Sequence, residues 1–168
     1  MEDSKKLMYA KEAYNTLCRS LDNIGWKYNR MEDELKIMFG VGGDDLPMNF
    51  LIIIDAERQL VRLLSLLPFK MNSDKRVEGA VATCVINYVL ADGSFDFDLD
   101  EGHIMFRLTA SFRESLLGEE LFKYMVSIAS HFRGLTPASR FFRSENESEI
   151  RSLAHPGANP TCAKSILA

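Results

Sequence analysis

From about Ser4 to Leu21, apolar side chains recur at Leu7, Ala10, Tyr14, Leu17, Cys18 and Leu21, the three-and-four spacing that gathers them on one stripe of a helix. Gly25 follows as a stop signal. The period then changes to two. Trp26, Tyr28 and Arg30 alternate with Lys27 and Asn29, and past a polar turn at Met31 to Glu34 the residues Leu35, Ile37, Phe39 and Val41 alternate again, which predicts two strands. A glycine-rich break, Gly40 to Asp45, leads to a third strand at Met48 to Ile54, rich in the Ile and Phe that favour a pleated surface. Asp55-Ala56-Glu57-Arg58 predicts a tight turn, with Ala56-Glu57 as its two central residues, into a fourth strand from about Gln59 to Leu66. That strand is expected to end at Pro68, which has no N–H for a ladder.

Around Asn72 to Asp74 the helical period returns. Val77, Val81, Cys84, Val85 and Tyr88 make a stripe beside the small Gly79, Ala80 and Ala82, so this helix is expected to pack closely on the sheet. Next, Phe95, Phe97 and Leu99 alternate with Asp96, Asp98 and Asp100, and Ile104, Phe106 and Leu108 alternate with His103, Met105 and Arg107. A two-residue turn at Glu101-Gly102 would set Leu99 opposite Ile104, Phe97 opposite Phe106, Phe95 opposite Leu108 and Asp96 opposite Arg107. A last long helix is predicted from near Leu117 to Phe132, with Leu117, Leu121, Tyr124, Met125, Ile128 and Phe132 inward and Gly134 as its stop. Thr136-Pro137 fits an N-cap and first residue of a short further helix. The order is α-β-β-β-β-α-β-β-α, an α+β fold with an antiparallel sheet in one domain over 1–143. Residues 144–168, rich in Ser, Glu, Asn, Ala and Pro, bury too little to offset their ordering entropy and are expected to form a frayed tail.

With that order in place, several phrases gain meaning together: Ile53-Ile54-Asp55-Ala56-Glu57-Arg58-Gln59-Leu60-Val61, Leu66-Leu67-Pro68, Val85-Ile86-Asn87-Tyr88, Gly93-Ser94-Phe95-Asp96-Phe97-Asp98 and Gly102-His103-Ile104-Met105-Phe106-Arg107. In this order and spacing they resemble the YbjN-type family, over roughly residues 5 to 135. The resemblance implies a fold like that of the class I type III secretion chaperones, small α+β proteins that dimerise and bind segments of other proteins. It also implies a role of the kind proposed for the family, bacterial sensory transduction regulation, and it carries over no catalytic residue.

Composition narrows the function classes. An apolar fraction of 46% with eleven Phe, and 26% charged residues, is that of a folded globular chain. A formal charge of -4 argues against a surface that neutralises a phosphate backbone. The N-terminal residues run into an amphipathic pattern instead of an apolar signal region, and the run Phe50 to Ile54 is far short of the roughly 20 residues a membrane helix needs. Three cysteines, Cys18, Cys84 and Cys162, with the first two on apolar stripes, suit free thiols in a reducing compartment and the role of small core hydrophobes. A cytoplasmic protein without nucleic-acid or membrane partners is the expectation.

Candidate chemistry is sparse. Asp96-Phe97-Asp98-Leu99-Asp100-Glu101-Gly102 has oxygen ligands at alternate positions, as calcium loops do. Counted from Asp96, however, glycine falls seventh and the twelfth residue is Arg107, so the required turn and bidentate carboxylate are missing. His103, His131 and His155 lie in separate elements without a ligand at metal spacing. Neither a metal nor another cofactor is expected. The glycines at 40, 42 and 43 precede a strand, whereas phosphate cradles open a helix.

The strongest functional signal is excess apolarity in the meander. One face of the third and fourth strands carries Phe50, Ile52, Ile54, Val61 and Leu63; the other carries Leu51, Ile53, Leu60 and Leu64 around Arg62. An antiparallel sheet normally leaves one face to water, so the second set calls for cover by a helix of the same chain, a second copy, or an apolar segment of a client protein. The sequence thus points to a non-enzymatic protein-binding regulator or chaperone-like adaptor, acting as a homodimer, with Leu51, Ile53, Leu60, Arg62 and Leu64 as the contact set. The alternative is a small-ligand-binding protein or hydrolase with a site near Asp96, Asp98, His103 and Arg107.

Overall fold

The first apolar stripe forms the 22-residue helix α1 (Glu2–Asn23) in the computed structural model, which describes residues 2–41, 48–113 and 115–131. Ala10, Ala13, Tyr14, Leu17, Cys18 and Leu21 are buried, while Leu7 is exposed. The helix ends in a Schellman motif: Gly25, at φ +71°, donates its N–H to the Asp22 carbonyl and Trp26 donates to that of Leu21, both at 3.0 Å.

The strands follow as β1 (Asn29–Met31), β2 (Lys36–Val41), β3 (Met48–Asp55) and β4 (Leu60–Lys70). Then come α2 (Arg76–Val89), β5 (Ser94–Phe97), β6 (His103–Ser111) and α3 (Glu119–His131). The sheet is antiparallel throughout, in the order β1-β2-β3-β4-β6-β5. The α+β class and the element order are those the sequence predicts. The break before β3, the helix after Pro137 and the tail at 144–168 fall wholly or mostly outside the described residues.

Several local expectations are corrected. β1 is shorter than the alternation from Trp26 implies, because a 3₁₀ turn at Glu32–Glu34 and a left-handed Leu35 (φ 51°) bring the chain round into β2. The turn between β3 and β4 has four residues, 56–59, since Asp55 pairs with Leu60 and Ile54 with Val61; Asp55 Oδ1 accepts the Arg58 N–H at 2.9 Å and holds it open. β4 does not stop at Pro68. Its ladder with β6 is irregular between Leu66 and Lys70, so the proline falls where no regular bond is required of its nitrogen.

The β5–β6 register also differs. Phe97 pairs with Ile104, Phe95 with Phe106 and Ser94 with Arg107, two residues from the predicted pairing. Asp98 is the cause: its Oδ1 accepts the N–H groups of Asp100 (2.9 Å) and Glu101 (3.1 Å), and its carbonyl accepts from Gly102 (2.8 Å). This side-chain-capped turn ends the strand at Phe97 and leaves Leu99 exposed.

One face of the sheet carries the larger core. Ile37, Phe39, Phe50, Ile52, Val61, Leu63, Phe106 and Leu108 are in one cluster with Leu17 and Leu21 of α1 and Phe122, Met125 and Val126 of α3. Phe122 and Val126 lie outside the stripe expected for α3, and Tyr124, expected inside it, is exposed. A smaller cluster, Phe69, Met71, Ile86 and Ile104, with Ala82 and Phe97 beside it, seats α2 over β5.

α2 reverses its predicted orientation. Gly79, Thr83 and Ile86 are the buried positions, and a Cβ at Gly79 would lie 2.8 Å from Phe97 Cε2. The glycine is what lets the helix approach this closely. The valine stripe therefore points away from the sheet, and Cys84, expected in the core, is exposed.

Candidate functional site

The second sheet face is assembled by the period of two. The β2–β3–β4 register sets Met38, Leu51 and Leu64 in one row and Lys36, Ile53 and Arg62 in the next, and β6 adds Arg107 beside Leu64 and Thr109 beside Arg62. The parity inferred from sequence survives the longer turn because two added residues restore every side chain to its face. Within this set the centre is closed and one corner is open. Leu51 and Leu64 are 2% and 8% exposed, whereas Ile53, Leu60 and Arg62 are half-buried.

Arg62 dominates the open corner. Its Nη2 lies 3.5 Å from Asp55 Oδ2, a long ion pair, while its Nε is buried and has no hydrogen-bond partner. A buried donor left unpaired costs about 1–3 kcal/mol, while the side chain as a whole remains 31% accessible. The adjoining cations are engaged with acids: Lys36 Nζ lies 2.6 Å from Glu34, and Arg107 holds Asp96 through Nε (2.8 Å) and Nη2 (2.9 Å).

The alternative set of Asp96, Asp98, His103 and Arg107 comes together only in part. Both oxygens of Asp96 are taken by Arg107, which raises the arginine pKa chiefly through those hydrogen bonds. Asp98 caps its own turn, and the Glu101 and Asp100 amides hold its carboxyl below the ordinary range. His103 sits opposite Lys70 at the far end of the irregular ladder, its Nδ1 without a partner. The carboxylates are committed to structure and leave no free base beside the histidine. No group of three or more His, Cys, Asp or Glu side chains is placed to hold a metal among the described residues.

A second titratable cluster braces α1 against β1. The Tyr28 hydroxyl donates to Asp22 Oδ1 at 2.7 Å, and Arg30 Nη2 donates to Asp22 Oδ2 at 2.8 Å. Tyr28 is raised by burial and then by Asp22, and its hydrogen bond in turn lowers Asp22. Burial pushes Tyr14 up to about 12 and also raises Cys18. A raised thiol pKa removes the thiolate a nucleophile needs, so Cys18 is a packed core residue.

Two further surfaces were not singled out from the sequence as functional. One is the outward stripe of α2. Gly79, Thr83 and Ile86 also recur at helical spacing, and it is this face, not the valines, that meets the sheet. The other is an open groove of about 660 Å³ along α1, lined by Leu7, Met8, Glu12 and Leu116 among others. None of the described helices is long and apolar enough to cross a membrane.

Together these features define an α+β domain that presents apolar surfaces on an antiparallel sheet and its helices. Comparison with solved structures places the fold. YbjN from E. coli, a proposed transcription regulator, matches with a TM-score of 0.50 and 13% identity, covering 68% of this chain and 81% of its own. A chain of the HopA1-SchA chaperone-effector complex matches with a TM-score of 0.53 and 13% identity, over 83% of this chain and 97% of its own. At that identity the likeness is one of fold. No family model and no curated protein matches the sequence.

Proposed function

We infer that this chain is a YbjN-type, non-enzymatic protein-binding regulator or chaperone-like adaptor, acting in the cytoplasm as a homodimer that holds a protein client. The observation that carries the reading is the second face of β3 and β4. There Ile53, Leu60 and Arg62 stay accessible beside a closed apolar centre, and Arg62 Nε is an unpaired buried donor. Such a corner suits an apolar client segment that brings a backbone carbonyl or an acidic side chain to the guanidinium. The fold shared with a chaperone-effector complex supports the same class. The commitment of Asp96 and Asp98 to an ion pair and a turn weighs against the hydrolase reading.

Ile53→Asp tests the assignment. An unpaired carboxylate in an apolar contact costs several kcal/mol, while the half-buried position allows the chain to fold. Tagged wild type and mutant would be compared in capture from native extract. The expected result is a mutant with wild-type circular dichroism and assembly state that no longer retains the protein held by wild type. Equal retention by both rejects this corner as the client site, and retention of nothing by wild type rejects the adaptor reading.

A further inference from the structure

The open corner of the second sheet face is ringed by guanidinium groups that the fold does not use. Ile53 pairs with Arg62 across β3 and β4, and Leu60 starts β4 opposite Asp55. Arg58 lies in the turn between these strands. Arg113 follows β6 at the same end of the sheet, where Leu60 pairs with Ser111 and the Phe112 N–H donates to the Gln59 carbonyl at 3.0 Å. Both arginines are exposed. Their backbone amides are held, Arg58 by Asp55 Oδ1 and Arg113 by Ser111 Oγ, but among the described residues neither guanidinium has a hydrogen bond or an ion pair. Arg62 meets Asp55 only at 3.5 Å. Arg107, on the same sheet, spends its fork on both oxygens of Asp96 instead.

We propose that this corner accepts an acidic segment of the client protein, one apolar side chain seated on Ile53 and Leu60 with flanking carboxylates that reach Arg58, Arg62 and Arg113. The inference rests on the client-binding reading above and names the chemistry of the client.

The occupant follows from the charge. Three arginines stand here with two acids, Asp55 and Glu57, and Asp3 and Lys6 of α1, which line a groove with Ala56 and Glu57, add one charge of each sign. The corner is therefore locally positive in a chain whose formal charge is -4. Charges farther off than the Debye length of about 8 Å are screened, so the acidic remainder does not cancel it. A basic segment would meet three like charges, whereas a carboxylate matches the planar fork of an arginine with both of its oxygens. Nucleic acid is the poorer anion, since binding it takes a run of phosphate contacts instead of one cluster. An exposed ion pair changes binding only about two- to fivefold. The apolar contact thus holds the segment, and the arginines select which segment is held.

Retention of synthetic peptides by the purified whole chain tests this. The probe is a library of nonapeptides with leucine fixed at the centre, divided into pools whose residues beside that leucine are Glu, Gln, Lys or phosphoserine. Wild type is expected to retain the Glu pool about two- to fivefold above the Gln pool and the Lys pool least. The double variant Arg58→Gln, Arg113→Gln changes only exposed side chains. It is expected to keep wild-type circular dichroism and to hold the Gln pool as before, while losing the preference for Glu. A preference for Glu that persists in this variant, or equal retention of Glu and Gln pools by wild type, overturns the acidic assignment. If Ile53→Asp still abolishes retention in that case, the client corner itself stands. Retention that Ile53→Asp leaves unchanged rejects the corner and this inference with it, as does retention of no pool by wild type. A phosphoserine pool held more tightly than the Glu pool makes the ligand a phosphate and overturns the carboxylate.

Discussion

At the scale of single residues, much of the β5–β6 connection rests on Gly102. It sits at φ +76°, and a Cβ there would lie 2.4 Å from the backbone oxygen of Met71, whose N–H is hydrogen-bonded to the Gly102 carbonyl. Gly25 has a similar φ of +71° but open space around it. The two separate backbone strain from steric conflict. Gly25→Ala is expected to cost about 1 kcal/mol from the left-handed conformation alone. Gly102→Ala should cost clearly more, on the order of 3 kcal/mol, because the conflict is with backbone that cannot rotate away. Urea unfolding of the two variants checks this, and equal losses would mean the 71–102 contact relaxes freely. The same scale explains what the sequence concealed. Asp55 and Asp98 each stand at a strand exit and cap the following amides with their own side chains, lengthening both turns by two residues. A pattern of apolar alternation fixes which face a residue takes, and it holds for both hairpins. It is blind to a shift of two, which changes partners without changing faces.

Among the elements, β5 is an edge strand that has been given a substitute neighbour. Asn87 of α2 donates through Nδ2 to the Phe95 carbonyl at 2.9 Å and accepts the Phe95 N–H through Oδ1 at 2.7 Å. One side-chain amide thus supplies both bonds that a further strand would make. Asn87→Ala removes both of these bonds and is expected to cost about 1–3 kcal/mol. Hydrogen exchange should locate the loss: the Phe95 amide should exchange faster by at least tenfold while β3 amides are unchanged. α2 also shows why its buried face was not legible in the sequence. Five large apolar residues at helical spacing read as a core stripe, since burial is the commonest reason for such a pattern. The helix instead seats Gly79 against Phe97, and close approach to the sheet needs a small residue more than an apolar one.

For the whole molecule, the two clusters are unequal. The larger joins α1, α3 and the central strands, and the smaller rests on four buried side chains, Phe69, Met71, Ile86 and Ile104. Opening free energy follows the apolar area released, so α2 and β5 should form a unit that opens below the global transition. Native-state exchange in sub-denaturing urea is expected to show α2 and β5 amides sharing one opening free energy, below that of β3 and β4. A single value across all four would make the fold one cooperative unit. The corner around Arg62 and the α2 stripe are thus expected to belong to parts of different stability.

The sheet order carries a consequence for how the chain is made. β4 ends at Lys70, and its second neighbour, β6, does not begin until His103, with α2 and β5 in between. While the ribosome is still adding those thirty-odd residues at about 5–20 per second, the longest of the described strands stands as an open border: eleven residues with one row of N–H and C=O groups unanswered. For that interval the nascent chain is itself a template for stray strands.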